Sequence, residues 1–161
     1  MKVRKEDLAE VAKELLKKLF DAEAKLSRGS SEPIEKIRAG SHQAFVIALR
    51  GDLGAGKTTF TQALAKELGI TESVQSPTYV LMKSYPISFG RFTKLIHIDA
   101  YRLDTPEEFS TLKPEGFLSD PTNLVIIEWP ERVEGVLPKP DIVLNFSSDG
   151  AGEEERYIEG V

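Results

Sequence analysis

The sequence predicts an α/β fold in which a mostly parallel β-sheet is covered by helices. The apolar segment Ala44–Leu49 is followed by a glycine-rich turn and then by a predicted helix from Lys57 to Leu68. Later apolar segments alternate with helix-like segments such as Pro106–Leu112. A continuous apolar run is typical of a strand buried on both faces, and alternation of strands with helices is typical of parallel sheets.

The size and composition of the chain restrict its class. A length of 161 residues predicts one domain over 1–161. The longest run of aliphatic and aromatic residues, Ala44–Leu49, is too short for a membrane span, which needs about 20 residues. The charged N-terminus does not resemble a signal peptide, and cysteine is absent, so we expect a cytoplasmic protein. A net charge of −5 argues against tight direct binding to nucleic acid.

Both ends of the chain have their own predicted elements. Residues 5–26 are predicted to form an amphipathic N-terminal helix, because their apolar side chains recur at helical spacing. The segment 27–43 is rich in turn-forming residues and is predicted to be a loop-rich connection. Near the C-terminus, the strand-like segments 141–146 and 155–158 flank a turn that contains Gly150-Ala151-Gly152. They predict a C-terminal β-hairpin over 141–158.

The glycine-rich turn matches a phosphate-binding pattern. Gly51-Asp52-Leu53-Gly54-Ala55-Gly56-Lys57-Thr58 fits G-x-x-x-x-G-K-[ST], the P-loop, at every fixed position. Glycine allows backbone N–H groups to surround phosphate oxygens, and the helix that follows directs further N–H groups at them. Lys57 is expected to reach the β- and γ-phosphates, and the Thr58 hydroxyl is expected to bind Mg²⁺. The sequence therefore predicts a P-loop NTPase domain with a three-layer fold.

Two predicted strands end in an acidic residue, which a P-loop protein needs for its metal ion and its attacking water. Lys94–Ile98 leads to Asp99, and Leu124–Ile127 leads to Glu128. Ligands of open α/β sheets bind at the carboxyl ends of strands, so both carboxylates are candidates. A solvated strand-end carboxylate is the alternative for either one alone. His97 is predicted to tune Asp99, to contact phosphate or to be structural.

A hydroxyl-bearing loop is predicted between the P-loop helix and the strand that ends at Asp99. Its sequence is Ser76-Pro77-Thr78-Tyr79. In other P-loop proteins, a loop at this place contacts the γ-phosphate through Mg²⁺ and rearranges on hydrolysis. Ser76 and Thr78 are therefore the candidate switch residues, with an ordinary turn as the alternative. Arg102 is a candidate for stabilising charge in the transition state.

Four segments in order carry a family resemblance. They are GDLGAGKTT at 51–59, SPTY at 76–79, HIDAYR at 97–102 and EWPE at 128–131. Together they resemble the bacterial TsaE family (formerly YjeE), P-loop ATPases of tRNA threonylcarbamoyladenosine synthesis. The resemblance covers the motif-bearing core, 44–131. It implies ATP and Mg²⁺ as cofactors, slow hydrolysis of ATP, and TsaB and TsaD as protein partners, without transfer of the threonylcarbamoyl group by this chain.

The resemblance also implies roles for individual residues. The phosphates would be held by the central P-loop residues, which are Gly54, Ala55, Gly56, Lys57, Thr58 and Thr59. Thr58 and Glu128 would bind Mg²⁺, and the catalytic residues would be Lys57, Asp99 and Glu128. Ser76 and Thr78 would belong to a switch-like loop. The first helix begins Lys5-Glu6-Asp7-Leu8 and lacks the threonine that lies by the nucleotide in the family, so no base contact is transferred.

Two other functions remain open from the sequence. A small-molecule kinase uses the same loop and usually an arginine-bearing lid, for which Arg91 and Arg102 are the candidates. A nucleotide-gated binding module without useful turnover would carry the same motifs. A GTPase is less favoured because the base-reading pattern N-K-x-D is absent.

Overall fold

A seven-stranded β-sheet organises the part of the chain that the computed structural model describes, residues 2–27, 43–77, 79–148 and 155–160. The strands are β1 (Lys2–Arg4), β2 (Phe45–Arg50), β3 (Met82–Phe89), β4 (Phe92–Asp99), β5 (Asn123–Glu128), β6 (Ile142–Ser147) and β7 (Glu155–Glu159). Their order across the sheet is β1-β7-β6-β2-β5-β4-β3. The central strands β6, β2, β5 and β4 are parallel, whereas β7 and β3 run in the opposite direction. The predicted α/β fold with a mostly parallel sheet and a C-terminal strand pair is confirmed.

Helices cover both faces of this sheet. The α-helices of the described residues are α1 (Leu8–Ser27), α2 (Lys57–Glu67) and α3 (Pro114–Leu118), and short 3-10 segments lie at Lys5–Asp7, Pro106–Leu112 and Pro130–Val133. The N-terminal helix predicted over 5–26 therefore begins as a 3-10 turn and continues as α1. None of the helices in the described ranges combines the length and apolarity needed to cross a membrane.

Alternation along the central strands divides the core into two layers. In β2, Ile47 and Leu49 pack in the cluster that contains α1 and α2. The intervening Val46 and Ala48 pack in the opposite cluster with Phe109. Successive side chains of a strand point to opposite faces, so a strand covered on both sides needs apolar residues at every position. This requirement explains the continuous apolar run in the sequence.

Two strands were absent from the predicted elements. β1 has three residues, and β3 is an edge strand that pairs antiparallel with β4. In β3, Tyr85 is buried while Lys83 and Pro86 are exposed, so its sequence lacks the long apolar run of a central strand. The predicted connection at 27–43 falls mostly on residues 28–42, outside the described ranges. The turn of the C-terminal hairpin lies outside them as well.

We predict that the P-loop helix is held by its buried aromatic side chain. Phe60 of α2 is 0% exposed, and its ring centroid lies 5.6 Å from that of Phe146 in β6. Phe60→Ala should lower the free energy of unfolding by about 3–5 kcal/mol, because it removes a large side chain and leaves a cavity. The measurement is equilibrium denaturation of the variant and the parent protein.

Phe20→Ala is the matched control for the same chemical change. Phe20 is 52% exposed, although its ring lies 6.0 Å from that of Phe89. Phe20→Ala should lower the free energy of unfolding by less than about 1 kcal/mol. Equal losses in the two variants would contradict the assignment of Phe60 to the core.

Candidate functional site

The P-loop connects the end of β2 to the start of α2. Gly54 and Gly56 have φ values of 78° and 101°, a backbone conformation that residues other than glycine rarely adopt. At Gly51, an added Cβ would collide with the backbone carbonyl of Phe146. Gly56 occupies the N-cap and has no side chain to cap the helix, so the first N–H groups of α2 stay available to an anion.

A cleft of about 360 Å³ lies beside this loop. Its walls come from the P-loop, the start of α2, the segment before β3 and the ends of β4 and β5. The lining residues are Leu53, Gly54, Gly56, Lys57, Thr58, Thr59, Ser76, Asp99, Tyr101, Glu128 and Trp129. The structure thus brings the predicted phosphate loop, both predicted acids and Ser76 to one cleft. Ala55 is buried behind it.

Glu128 joins the P-loop helix to the sheet. The residue is buried, with only 2% of its surface exposed. Oε2 accepts a hydrogen bond from Oγ1 of Thr58 at 2.9 Å, and Oε1 lies 2.8 Å from Nε2 of His97. Because the Thr58 hydroxyl proton is directed to Glu128, the lone pairs of its oxygen remain free to bind a cation.

Asp99 has a separate set of partners. Its Oδ2 accepts a hydrogen bond from Oγ of Ser76 at 2.5 Å, and its Oδ1 accepts one from the backbone N–H of Tyr101 at 3.0 Å. The candidate switch loop is therefore attached to the acid at the end of β4. Thr78, the other candidate switch residue, lies outside the described ranges.

Lys57 is packed tightly in the site. Its Nζ donates hydrogen bonds to the carbonyl oxygens of Gly51 and, at 2.8 Å, Asp52. It also lies 4.0 Å from the centroid of the Trp129 ring, within the range of a cation–π interaction. Burial lowers the pKa of the Lys57 ammonium group below its ordinary value, and the negative charge of nearby Glu128 opposes that shift.

Trp129 is a site residue whose contact with Lys57 the sequence did not predict. Its φ of 61° lies in the left-handed region, which is uncommon for a large side chain. Its backbone N–H donates to the carbonyl of Leu49 at 3.2 Å, and its ring centroid lies 5.0 Å from that of Tyr101. The sequence indicated only that Trp129 directly follows the candidate acid Glu128.

Neither arginine proposed from the sequence lines the described part of the cleft. The guanidinium of Arg102 lies 4.6 Å from the Tyr79 ring centroid. The guanidinium of Arg91 lies 5.0 Å from the ring of Phe92, at the end of β4 opposite Asp99. This placement gives no support to an arginine-bearing lid over the cleft.

The oxygen donors of the cleft fit Mg²⁺. Mg²⁺ is usually held by one or two protein oxygens, and phosphate and water complete its octahedral shell. Thr58 and Glu128 provide adjoining hydroxyl and carboxylate oxygens beside the phosphate loop. Within the described ranges, no group of three or more histidine and acidic side chains could hold a metal ion. A metal ion here would therefore share its coordination with a bound ligand.

Comparison with known proteins identifies the family of this chain. A family model described as "Threonylcarbamoyl adenosine biosynthesis protein TsaE" matches residues 5–158. The chain belongs to the TsaE family. The resemblance noted from the four sequence segments is thus confirmed, and it extends beyond them to most of the chain.

Individual TsaE relatives cover most of the chain. A protein from Aquifex aeolicus is 41% identical over 137 residues, which are 83% of this chain and 88% of the relative. One from Haemophilus influenzae is 37% identical over 110 residues, 68% of this chain and 67% of the relative. Both are named tRNA threonylcarbamoyladenosine biosynthesis protein TsaE. The crystal structure of YdiB from Bacillus subtilis superposes with a TM-score of 0.59 at 27% identity, covering 98% of this chain and 82% of that chain.

We predict that Lys57 determines the emission of Trp129, the single tryptophan of the chain. A cation 4.0 Å from the ring centroid changes the energy of the excited indole. Lys57→Ala should therefore shift the emission maximum or intensity in the absence of nucleotide. Lys83→Ala is the control, since that lysine lies over Tyr85 and should leave tryptophan emission unchanged. Identical spectra for the parent protein and Lys57→Ala would contradict the contact.

Proposed function

We propose that the protein binds ATP with Mg²⁺, hydrolyses it slowly, and acts through TsaB and TsaD in tRNA threonylcarbamoyladenosine biosynthesis. The observation that carries the ATPase proposal is the hydrogen bond between Thr58 and Glu128, next to Lys57 in the P-loop cleft. The biosynthetic process is supported by membership of the TsaE family and by the names of the relatives. The partners are proposed from the family resemblance.

Phosphate binding is assigned to the loop and the start of α2. Backbone N–H groups around Gly54 and Gly56 are proposed to surround the phosphate oxygens. Lys57 would contact the β- and γ-phosphates, exchanging its bonds to the loop carbonyls for charge-assisted bonds. Thr59 would contribute through its backbone N–H group, and Ala55, whose N–H donates to the Asp52 carbonyl at 3.1 Å, would hold the loop in shape.

The two acids are proposed to have different roles. When bound, Mg²⁺ would neutralise charge on the phosphate oxygens. Thr58 would offer a hydroxyl oxygen to the ion and Glu128 a carboxylate oxygen, and the hydrogen bond between the two side chains would hold both in place. Asp99, on the neighbouring strand, would orient the attacking water. The bonds of Asp99 to Ser76 and to the Tyr101 backbone fix its carboxylate for that task.

The same bond to Asp99 supports nucleotide-dependent contact with proteins. Ser76 is followed in the chain by Tyr79 and Val80, which are 87% and 64% exposed. A change at Asp99 during hydrolysis would reach this segment through Ser76. An acidic chain with exposed apolar side chains in the segment after Ser76 is suited to contact protein partners, not the phosphate backbone of tRNA.

We predict that substitutions of the two acids impair hydrolysis in different ways. Asp99→Asn should lower kcat by about 100-fold or more with little change in KM, because it removes an interaction made chiefly in the transition state. Glu128→Gln should raise the Mg²⁺ concentration needed for hydrolysis by about 10- to 100-fold. The measurement is phosphate release with ATP and Mg²⁺ titrated separately.

Glu131→Gln controls for loss of a nearby negative charge. Glu131 is exposed, follows Glu128 closely in the chain and is not among the described residues of the cleft. The Glu131→Gln variant should hydrolyse ATP at the parental rate. If Asp99→Asn and Glu128→Gln both stay within a few-fold of the parent, the roles proposed for the acids are wrong. ADP formation that requires an added small acceptor would instead favour the kinase.

We also predict nucleotide-dependent association with the TsaB–TsaD pair. Affinity should be at least about 10-fold higher with ATP than with ADP, within the usual range of coupling between two sites. Ser76→Ala should reduce this ratio towards one, because it cuts the described link to Asp99. Ser73→Ala, at an exposed position of the same segment, should preserve it. Calorimetric titration against the TsaB–TsaD pair, with ATP and with ADP, measures this ratio for the parent protein and for each variant.

A parallel titration with tRNA tests the indirect role. Little binding is expected at physiological salt, given the net charge of −5. Equal affinity for the protein pair in ATP and ADP would refute the switch. Tight, salt-resistant binding to free tRNA would refute action through partners.

A further inference from the structure

A buried histidine contacts the acid beside the P-loop. His97 is 0% exposed, and its Nε2 lies 2.8 Å from Oε1 of Glu128. Its neighbours Ile96 and Ile98 pack in the opposite layer of the core, so the imidazole lies on the same face of the sheet as α2. In the parallel register His97 is opposite Ile126, two residues before Glu128.

We propose that His97 is a positioning residue, which fixes the Glu128 carboxylate in the orientation that the Mg²⁺–nucleotide site requires. This inference rests on the ATPase function proposed above. It differs from the roles considered from the sequence, which placed His97 with Asp99, with phosphate or in a purely structural role.

The geometry explains why one partner for Glu128 is insufficient. A carboxylate held only by Thr58 can rotate about its last side-chain bond. The second bond, from His97 to the other oxygen, fixes the plane of the carboxylate. It also satisfies a second acceptor in a group that is 2% exposed, where an unpaired polar atom is costly.

The surroundings of His97 indicate which ring nitrogen carries the proton. Nδ1 is buried and has no hydrogen-bond partner in the described part of the chain. A proton on Nδ1 would be unpaired, whereas a proton on Nε2 is donated to Glu128. In a neutral ring the proton therefore lies on Nε2, where Glu128 accepts it.

Three substitutions separate positioning from packing. His97→Leu fills the space without a donor. His97→Gln places an amide N–H near the position of Nε2, whereas the shorter amide of His97→Asn ends near Nδ1. Only His97→Gln should therefore retain the bond to Glu128.

The readout is the ratio of ATP affinities with and without Mg²⁺, measured by calorimetry. We expect His97→Leu and His97→Asn to lose about 10-fold or more of this ratio, as for other outer-shell partners of metal ligands. Binding of ATP without Mg²⁺ should change little, and His97→Gln should recover most of the ratio. In the Glu128→Gln background, His97→Leu should have no further effect, because its action passes through Glu128.

Several results would overturn the proposal. The first is that His97→Leu and His97→Asn keep the parental ratio of ATP affinities with and without Mg²⁺. The second is that His97→Gln loses as much of this ratio as they do. The third is that the losses caused by His97→Leu and Glu128→Gln add up in the double variant. If the parent itself shows no effect of Mg²⁺, the proposed function fails and this inference fails with it. A parental Mg²⁺ effect that persists in the His97 variants refutes the inference alone.

A spectroscopic measurement needs no substitution at His97. Nitrogen NMR of the imidazole rings should show His97 as the Nε2–H form, with His42→Gln assigning the signal of the other histidine. A ring with its proton on Nδ1 and none on Nε2 would overturn the proposed donation. This result decides the donor role even if a His97 variant does not fold.

Discussion

The parallel pairing of β2, β5 and β4 brings together residues that are far apart in the chain. Leu49 pairs with Glu128, and Glu128 pairs with Asp99. The P-loop leaves β2 directly after this level of the sheet. A shift by one residue would turn both acids to the opposite face, away from Thr58. The site therefore depends on the sheet register, which the apolar side chains of both core layers hold in place.

The contacts of Lys57 show how the acidic chain accommodates a buried cation. Loop carbonyls and the Trp129 ring surround its ammonium group, so the charge is solvated by protein atoms instead of water. A phosphate must compete with those partners. Its binding exchanges one set of interactions for another, so the net gain is smaller than the Coulomb attraction alone suggests.

The sequence predicted those features that local chemistry determines. The buried central strands could be predicted from apolar runs. The P-loop could be predicted from the spacing of its glycines and lysine, because phosphate binding needs close backbone N–H groups and a cation at those positions. Asp99 and Glu128 could be placed at one sheet edge because parallel strands end on the same side. The ATPase roles of these residues stay predictions.

Features that depend on contacts between distant segments could not be predicted in this way. His97 could have faced Asp99 or Glu128, and only the pairing of β4 with β5 decides between them. The cation–π contact of Trp129 depends on a left-handed backbone conformation that no glycine signals. β3 was missed because an exposed edge strand has neither a long apolar run nor strict alternation.

That edge strand affects how the molecule behaves at high concentration. Pro86 lies within β3 and lacks an N–H group, and the pairing register shifts between Pro86 and Phe89. Proline and irregular pairing on an edge hinder another chain from adding a strand, which is a common route to aggregation. At the other edge, β1 has only three residues. Both described edges of the sheet are therefore poor templates for the addition of a strand from another chain.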